Sequence, residues 1–144
     1  MIVVDSSVWI AQLRGLATPA ALTLRAIVED DDDQILVGDL ILLEVLQGAR
    51  DEAHAERIER NLGRYPIAPM LDQTIAVQAA RNDRLLRARG ITIRGTIDTI
   101  IATLCLARGH LLLHDERDFD PIAAHLGLRF VPVLEEPIRD PIAA

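Results

Sequence analysis

Three short apolar runs constrain this fold most: residues 1–4 (MIVV), 35–37 (ILV) and 110–114 (HLLLH) lack the polar alternation of a strand with one wet face. Such runs read as strands buried on both faces, the pattern of a parallel sheet covered by helices. Residues 128–133 make a weaker run of the same kind. Helix signals fill the stretches between. Ser6 or Ser7 is placed to cap a helix through Leu13, and Thr18 with Pro19 at the first helical position starts another through Val28. Asp39 precedes LILLEVLQ, which Gly48 ends, and residues 51–62 form a charged helix. Asp72 caps a long helix to Arg89, closed by Gly90, and Thr96 caps one that Gly109 closes. Residues 119–126 form a last short helix before Gly127. This order predicts an α/β fold with a central parallel sheet flanked by helices on both faces. Ligands of such sheets sit at the carboxyl ends of the strands.

Four stretches bring acids to those ends. Asp5 is the first polar residue after the first run, and Asp115 and Glu116 follow the LLLH run directly. Asp98 falls in the first turn of its helix, at the positive end of the dipole. Glu44 interrupts an apolar helix whose neighbours Leu40, Ile41, Leu43 and Leu46 imply a buried face. A lone buried carboxylate is strongly disfavoured unless something positive meets it. Each acid has an ordinary explanation: Asp5 as a cap beside two better-placed serines, Asp98 as a dipole-favoured residue, Glu44 as half exposed. Their joint placement does not. Converging carboxylates call for a hard divalent cation, Mg2+ or alternatively Mn2+. With two such ions one activates water and the other steadies a leaving oxygen. Zinc is disfavoured, because Cys105 lies mid-helix on an apolar face and the four His show no ligand spacing. His114 reads as structural, and so does Trp9, one helical turn from Asp5.

All 15 bases are Arg, and the absence of Lys excludes a Schiff base, a lysine base and a P-loop lysine. The net charge of −7 at first opposes a nucleic-acid partner. Setting aside the Asp run at 30–33, a solvated loop by its like charges, and the four candidate site acids leaves 14 acids against the 15 Arg. Residues 50–94 carry nine Arg against six acids. Arg81, Arg84 and Arg87 recur at a spacing of three on one helix face, with Arg89 and Arg94 following. Arg suits bidentate phosphate contact, so Arg81, Arg84, Arg87 and Arg94 are candidate phosphate-backbone contacts.

The length suits one domain, read as 1–134 with a tail at 135–144. No apolar run approaches the roughly 18 residues of a membrane span. Asp5 breaks the first apolar run, against a signal peptide, and the single cysteine fits a reducing compartment. A cytoplasmic location is the expectation.

Taken in order over nearly the whole chain, IVVDSSVWI, LILLEVLQGAR, IRGTIDTIIATLCLARGHLLLHD and ERDFDPIAAHLGLR resemble PIN-domain ribonucleases, in particular the VapC toxins of VapBC toxin–antitoxin pairs. The resemblance implies a PIN-like fold and a Mg2+-dependent endoribonuclease that cleaves structured RNA such as transfer RNA. It implies Asp5, Glu44 and Asp98 as core acids and a fourth acid after the HLLLH strand. The family's Asp three residues before the final Phe is replaced here by Glu116, with Asp115 just before it. The fourth ligand therefore stands open between Glu116, favoured by register, and Asp115. Ser7 matches a hydroxyl residue that the family places after its first Asp, where it would orient a water or a carboxylate. A cognate VapB-type antitoxin and a homodimer are implied as partners, with residues 7–13 and 39–47 offering apolar grooves to an amphipathic segment. The alternative is a catalytically silent PIN-fold module that binds RNA or protein. Phosphatases and receiver domains with an N-terminal Asp nucleophile fit poorly, since position 7 is Ser and Lys is absent.

Overall fold

Every expected run at the centre of the fold is a strand, and every strand pairing is parallel. The computed structural model describes residues 1–134, so the expected tail at 135–144 lies outside the described residues. The elements are β1 (Ile2–Val4), α1 (Ser6–Leu13), α2 (Pro19–Asp31), a 3-10 turn (Asp32–Gln34), β2 (Ile35–Gly38), α3 (Asp39–Gln47), α4 (Glu52–Leu62), β3 (Ile67–Ala68), α5 (Gln73–Ala88), α6 (Thr96–Arg108), β4 (Leu111–Leu113) and α7 (Phe119–Leu126). The sheet order is β3-β2-β1-β4. Ile2 stands opposite Ile35 on one side and Leu111 on the other, which makes β1 central.

This order positions the site. The chain steps outward from β1 to β2 to β3, then returns to the far side of β1 for β4. The reversal opens a crevice between β1 and β4 at their carboxyl ends. Val3, Val4, Ile35, Val37, Leu112 and Leu113 are wholly inaccessible, so both sheet faces are covered. Helices α1 to α4 pack on one another, and α5, α6 and α7 form a second group. One continuous apolar cluster runs through sheet and helices. Among the described residues no helix is long and apolar enough to cross a membrane.

The structure departs from the sequence expectations at several ends. Asp5, not Ser6 or Ser7, is the N-cap of α1, its side chain accepting the Ser7 N–H. Gly38 and Gly95 hold the cap positions of α3 and α6 without side-chain bonds, so Asp39 and Thr96 are first helical residues rather than caps. Helix α2 continues past Val28 to Asp31, so the Asp run is half helix and half 3-10 turn, although all of it is exposed. β3 lies between Pro66 and Pro69, and a two-residue edge strand flanked by prolines carries almost no pattern. Residues 128–133 contribute only a bridge, Phe130 beside Leu112. Gly38 ends β2 where any Cβ would collide with Met70, which lets the 70–71 segment close over the start of α3.

Candidate active site

Asp5 leaves β1 at the crevice and is only 2% exposed. Its Oδ2 accepts both the Ser7 backbone N–H at 3.2 Å and the Ser7 Oγ hydroxyl at 2.6 Å. Its Oδ1 is equally buried and has no hydrogen-bond partner. A buried acceptor without a partner costs about 1–3 kcal/mol, more when it carries charge. Asp5 thus spends one oxygen on capping α1 and leaves the other uncompensated.

The adjacent serine serves a second acid. Ser6 Oγ donates to Glu44 Oε1 at 3.2 Å, which ties α1 to α3. Glu44 is half-buried rather than deeply buried, because Leu43 on the same helix turns outward and is 47% exposed. Burial pushes the Glu44 carboxyl above its ordinary value, and the charges of Asp5 and Glu116 push it further against the opposing Ser6 bond.

Asp98 enters from α6 and is also half-buried. Burial first, then the negative charges of Asp5, Glu44, Glu116 and Asp118, raise its carboxyl to about 7. Asp5, Glu44, Asp98 and Glu116 therefore share one electrostatic field at the carboxyl edge of the sheet. Asp115 is not among the charges that raise Glu44 and Asp98. Exposed like Glu116, it bears on His114, and its backbone N–H donates to Ser7 Oγ at 3.3 Å. Ser7 consequently joins the end of β1 to the loop after β4.

Two contributors escaped the sequence reading. Asp118 adds charge to Asp98, and its only signal was the crowded DERD segment. Ser6 holds Glu44, and its signal was the serine pair after Asp5, which looked like a redundant cap. His114 is half-buried, and burial lowers its pKa against the opposing pull of Asp120 and Asp5. Trp9 is buried against Tyr65 at a centroid distance of 5.7 Å, as a core residue. The buried Cys105 thiol is pushed up to about 12, which removes it as a nucleophile.

The donors suit a hard divalent cation in chemistry but do not form a ready cage. Among the described residues no three His, Cys, Asp or Glu side chains converge closely enough to hold a metal outright. Every donor in the field is a carboxylate oxygen, one is buried without a partner, and two are held protonated more than usual, by burial first and then by mutual repulsion. Mg2+ keeps several waters and takes one or two carboxylates directly, so a loose set satisfies it.

Arg81, Arg84, Arg87 and Arg94 are exposed, and among the described residues the one ion pair is Arg87 with Asp83 at 3.1 Å. Arg87 and Asp83 line a groove of about 460 Å3 between α5 and α6, whose other wall includes Thr96, Thr99 and Ile100. That groove thus runs along the helix that carries Asp98. A second groove of about 250 Å3 lies among α1, α3 and α4, lined by Ile10, Leu13, Val45 and Ile58.

Known proteins resemble this chain throughout. A family model described as the PIN domain matches residues 2–124. Ribonuclease VapC11 of Mycobacterium tuberculosis is 31% identical over 123 residues, covering 85% of this chain and 92% of that protein. Among solved structures, VapBC2 from Rickettsia felis bound to a DNA fragment from its promoter superposes with a TM-score of 0.72 at 15% identity, over 92% of this chain and 99% of that one. VapBC-1 from nontypeable Haemophilus influenzae does so with a TM-score of 0.69 at 18% identity, over 91% and 97%.

Proposed function

The chain belongs to the PIN-domain family, and from that premise we propose that it is a VapC-like endoribonuclease, a toxin that hydrolyses phosphodiester bonds in structured RNA such as transfer RNA. The observation that carries the reading is the buried, unpartnered Asp5 Oδ1 in the same field as Asp98.

Asp5, Glu44 and Asp98 are assigned to hold Mg2+, with Mn2+ as the alternative. Glu116 is the fourth acid in preference to Asp115, since Glu116 acts on both Asp98 and Glu44 and Asp115 on neither. When bound, the ion supplies Lewis acidity that lowers the pKa of water and stabilises the leaving oxygen. The residues of the chain do the rest. Ser7 anchors Oδ2 of Asp5, so that Oδ1 alone is left buried without a partner. Ser6 holds Glu44 from the opposite side. Asp98, raised to about 7, is the acid that would give up a proton if a cation were held there. Arg81, Arg84, Arg87 and Arg94 supply exposed contacts to the phosphate backbone, which suits an unpaired segment whose bases can be splayed out.

A VapB-type antitoxin is the proposed partner. The apolar groove among α1, α3 and α4 accepts an amphipathic helix, and it is the surface where residues 7–13 and 39–47 meet. A homodimer and a cytoplasmic location complete the reading. Incubating the chain with a transfer RNA panel and Mg2+ tests it: cleavage is expected, and Asp5→Asn should reduce the rate at least about 100-fold. One observation favours a second reading, a catalytically silent module: among the described residues no three acids form a ready cage. RNA binding without cleavage under any divalent ion would establish that reading instead.

A further inference from the structure

Glu116 lies in the irregular stretch 114–116, outside any helix or strand and, unlike Asp5, not at a helix cap. Something else must fix it. Its backbone N–H donates to the Nδ1 of His114 at 3.1 Å. An Nδ1 that accepts carries no proton, so the neutral ring bears its hydrogen on Nε2. Two aromatic rings clamp that imidazole. Phe119, wholly buried at the start of α7, meets it edge-on at 5.0 Å, and Phe130 lies at 4.2 Å. Phe130 is itself held by the bridge to Leu112, with Val131 N–H donating to the Leu112 carbonyl at 2.9 Å. The preceding amide, of Asp115, is taken by Ser7. Two consecutive peptide units of the loop are thus pinned by side chains, one from each side of the crevice.

Resting on the function proposed above, we propose that His114 is a positioning residue: its Nδ1, oriented by Phe119 and Phe130, sets the backbone of Glu116 so that this carboxylate joins the cation-binding field. Two variants of the full chain separate this role from simple ring packing. His114→Phe keeps an aromatic ring and removes the acceptor. His114→Asn removes the ring and keeps an acceptor oxygen near the Nδ1 position. Mn2+ affinity read by electron paramagnetic resonance, together with RNA cleavage and the melting midpoint, is the assay. His114→Phe should keep its melting midpoint while weakening Mn2+ binding and cleavage about tenfold, the usual range for partners of metal ligands. His114→Asn should regain most of that affinity. In a Glu116→Gln background His114→Phe should weaken Mn2+ binding no further, because the two act as one unit. Unchanged Mn2+ binding in His114→Phe overturns the proposal, as does an equal further loss in the Glu116→Gln background. If the unmodified chain neither binds Mn2+ nor cleaves RNA, the underlying reading of the site fails and this inference falls with it.

Discussion

Glu29 and the Asp run at 30–33 place five carboxylates side by side in the chain, all exposed, at the end of α2 and in the turn after it. Asp5, Glu44, Asp98 and Glu116 come from four distant stretches and meet at the carboxyl edge of the sheet. In the first group water screens each charge, and Asp31 does ordinary work by accepting the Asp33 N–H at 3.2 Å. In the second, burial of Asp5 and half-burial of Glu44 and Asp98 weaken that screening, and burial first, then the charges of its neighbours, including the exposed Glu116, raise Asp98 to about 7. Density of acids along a sequence is therefore no guide to a site. Convergence at a strand end, with a buried oxygen left unpartnered, is.

The contrast breaks most visibly at Asp98. Asp98→Asn should reduce RNA cleavage at least about 100-fold while leaving the cation-free chain as stable as before or more so at pH 7.5. A destabilised variant would show that Asp98 is structural. The same residue gives a pH signature. Its folded pKa of about 7 lies above the ordinary 3.8, so between these values the folded chain keeps a proton that the unfolded chain has lost. Stability of the cation-free protein should accordingly fall as the pH rises through that window. After allowance for solvent screening the drop attributable to Asp98 is about 1 kcal/mol, and chemical denaturation in chelator across the window reads it. Asp98→Asn should remove most of that fall, leaving the part that the raised Glu44 carboxyl contributes, and an undiminished slope would assign it elsewhere.

Smaller effects test the margins of the comparison. Arg84→Ala should raise KM for RNA several-fold with little change in kcat, and should lower the salt dependence of binding by about one counterion. A fall in kcat alone would remove Arg84 from substrate contact. The smallest response belongs to the acidic run. Combined Asp30→Asn, Asp32→Asn and Asp33→Asn should shift stability by no more than about 0.5 kcal/mol per substitution and leave cleavage unchanged.

Much of this arrangement was legible in the chain itself. Strands β1, β2 and β4 showed as runs without alternation, and Gly90, Gly109 and Gly127 marked helix ends where the backbone turns left-handed. Asp5, Asp98 and Glu116 could be assigned to the sheet edge because each follows a strand or opens a helix aimed there. What stayed hidden depends on tertiary neighbours. Asp5 caps α1 and also keeps a second oxygen buried without a partner, and three polar residues in a row offered no way to choose among them. The half-burial of Glu44 depends on what packs against α3, since Leu43 turns to solvent beside it. The division of labour between Ser6 and Ser7 is visible only once α1, α3 and the loop after β4 are brought together.

The central claim is that four carboxylates distant in sequence form one cation-binding field, and calorimetric titration of the chain with Mg2+ at pH 7.0 in buffers of differing ionisation enthalpy tests it most directly. Binding should be coupled to release of a fraction of a proton, abolished by Asp5→Asn and unaffected by the triple substitution in the acidic run. Binding that survives Asp5→Asn and disappears with the run would contradict it.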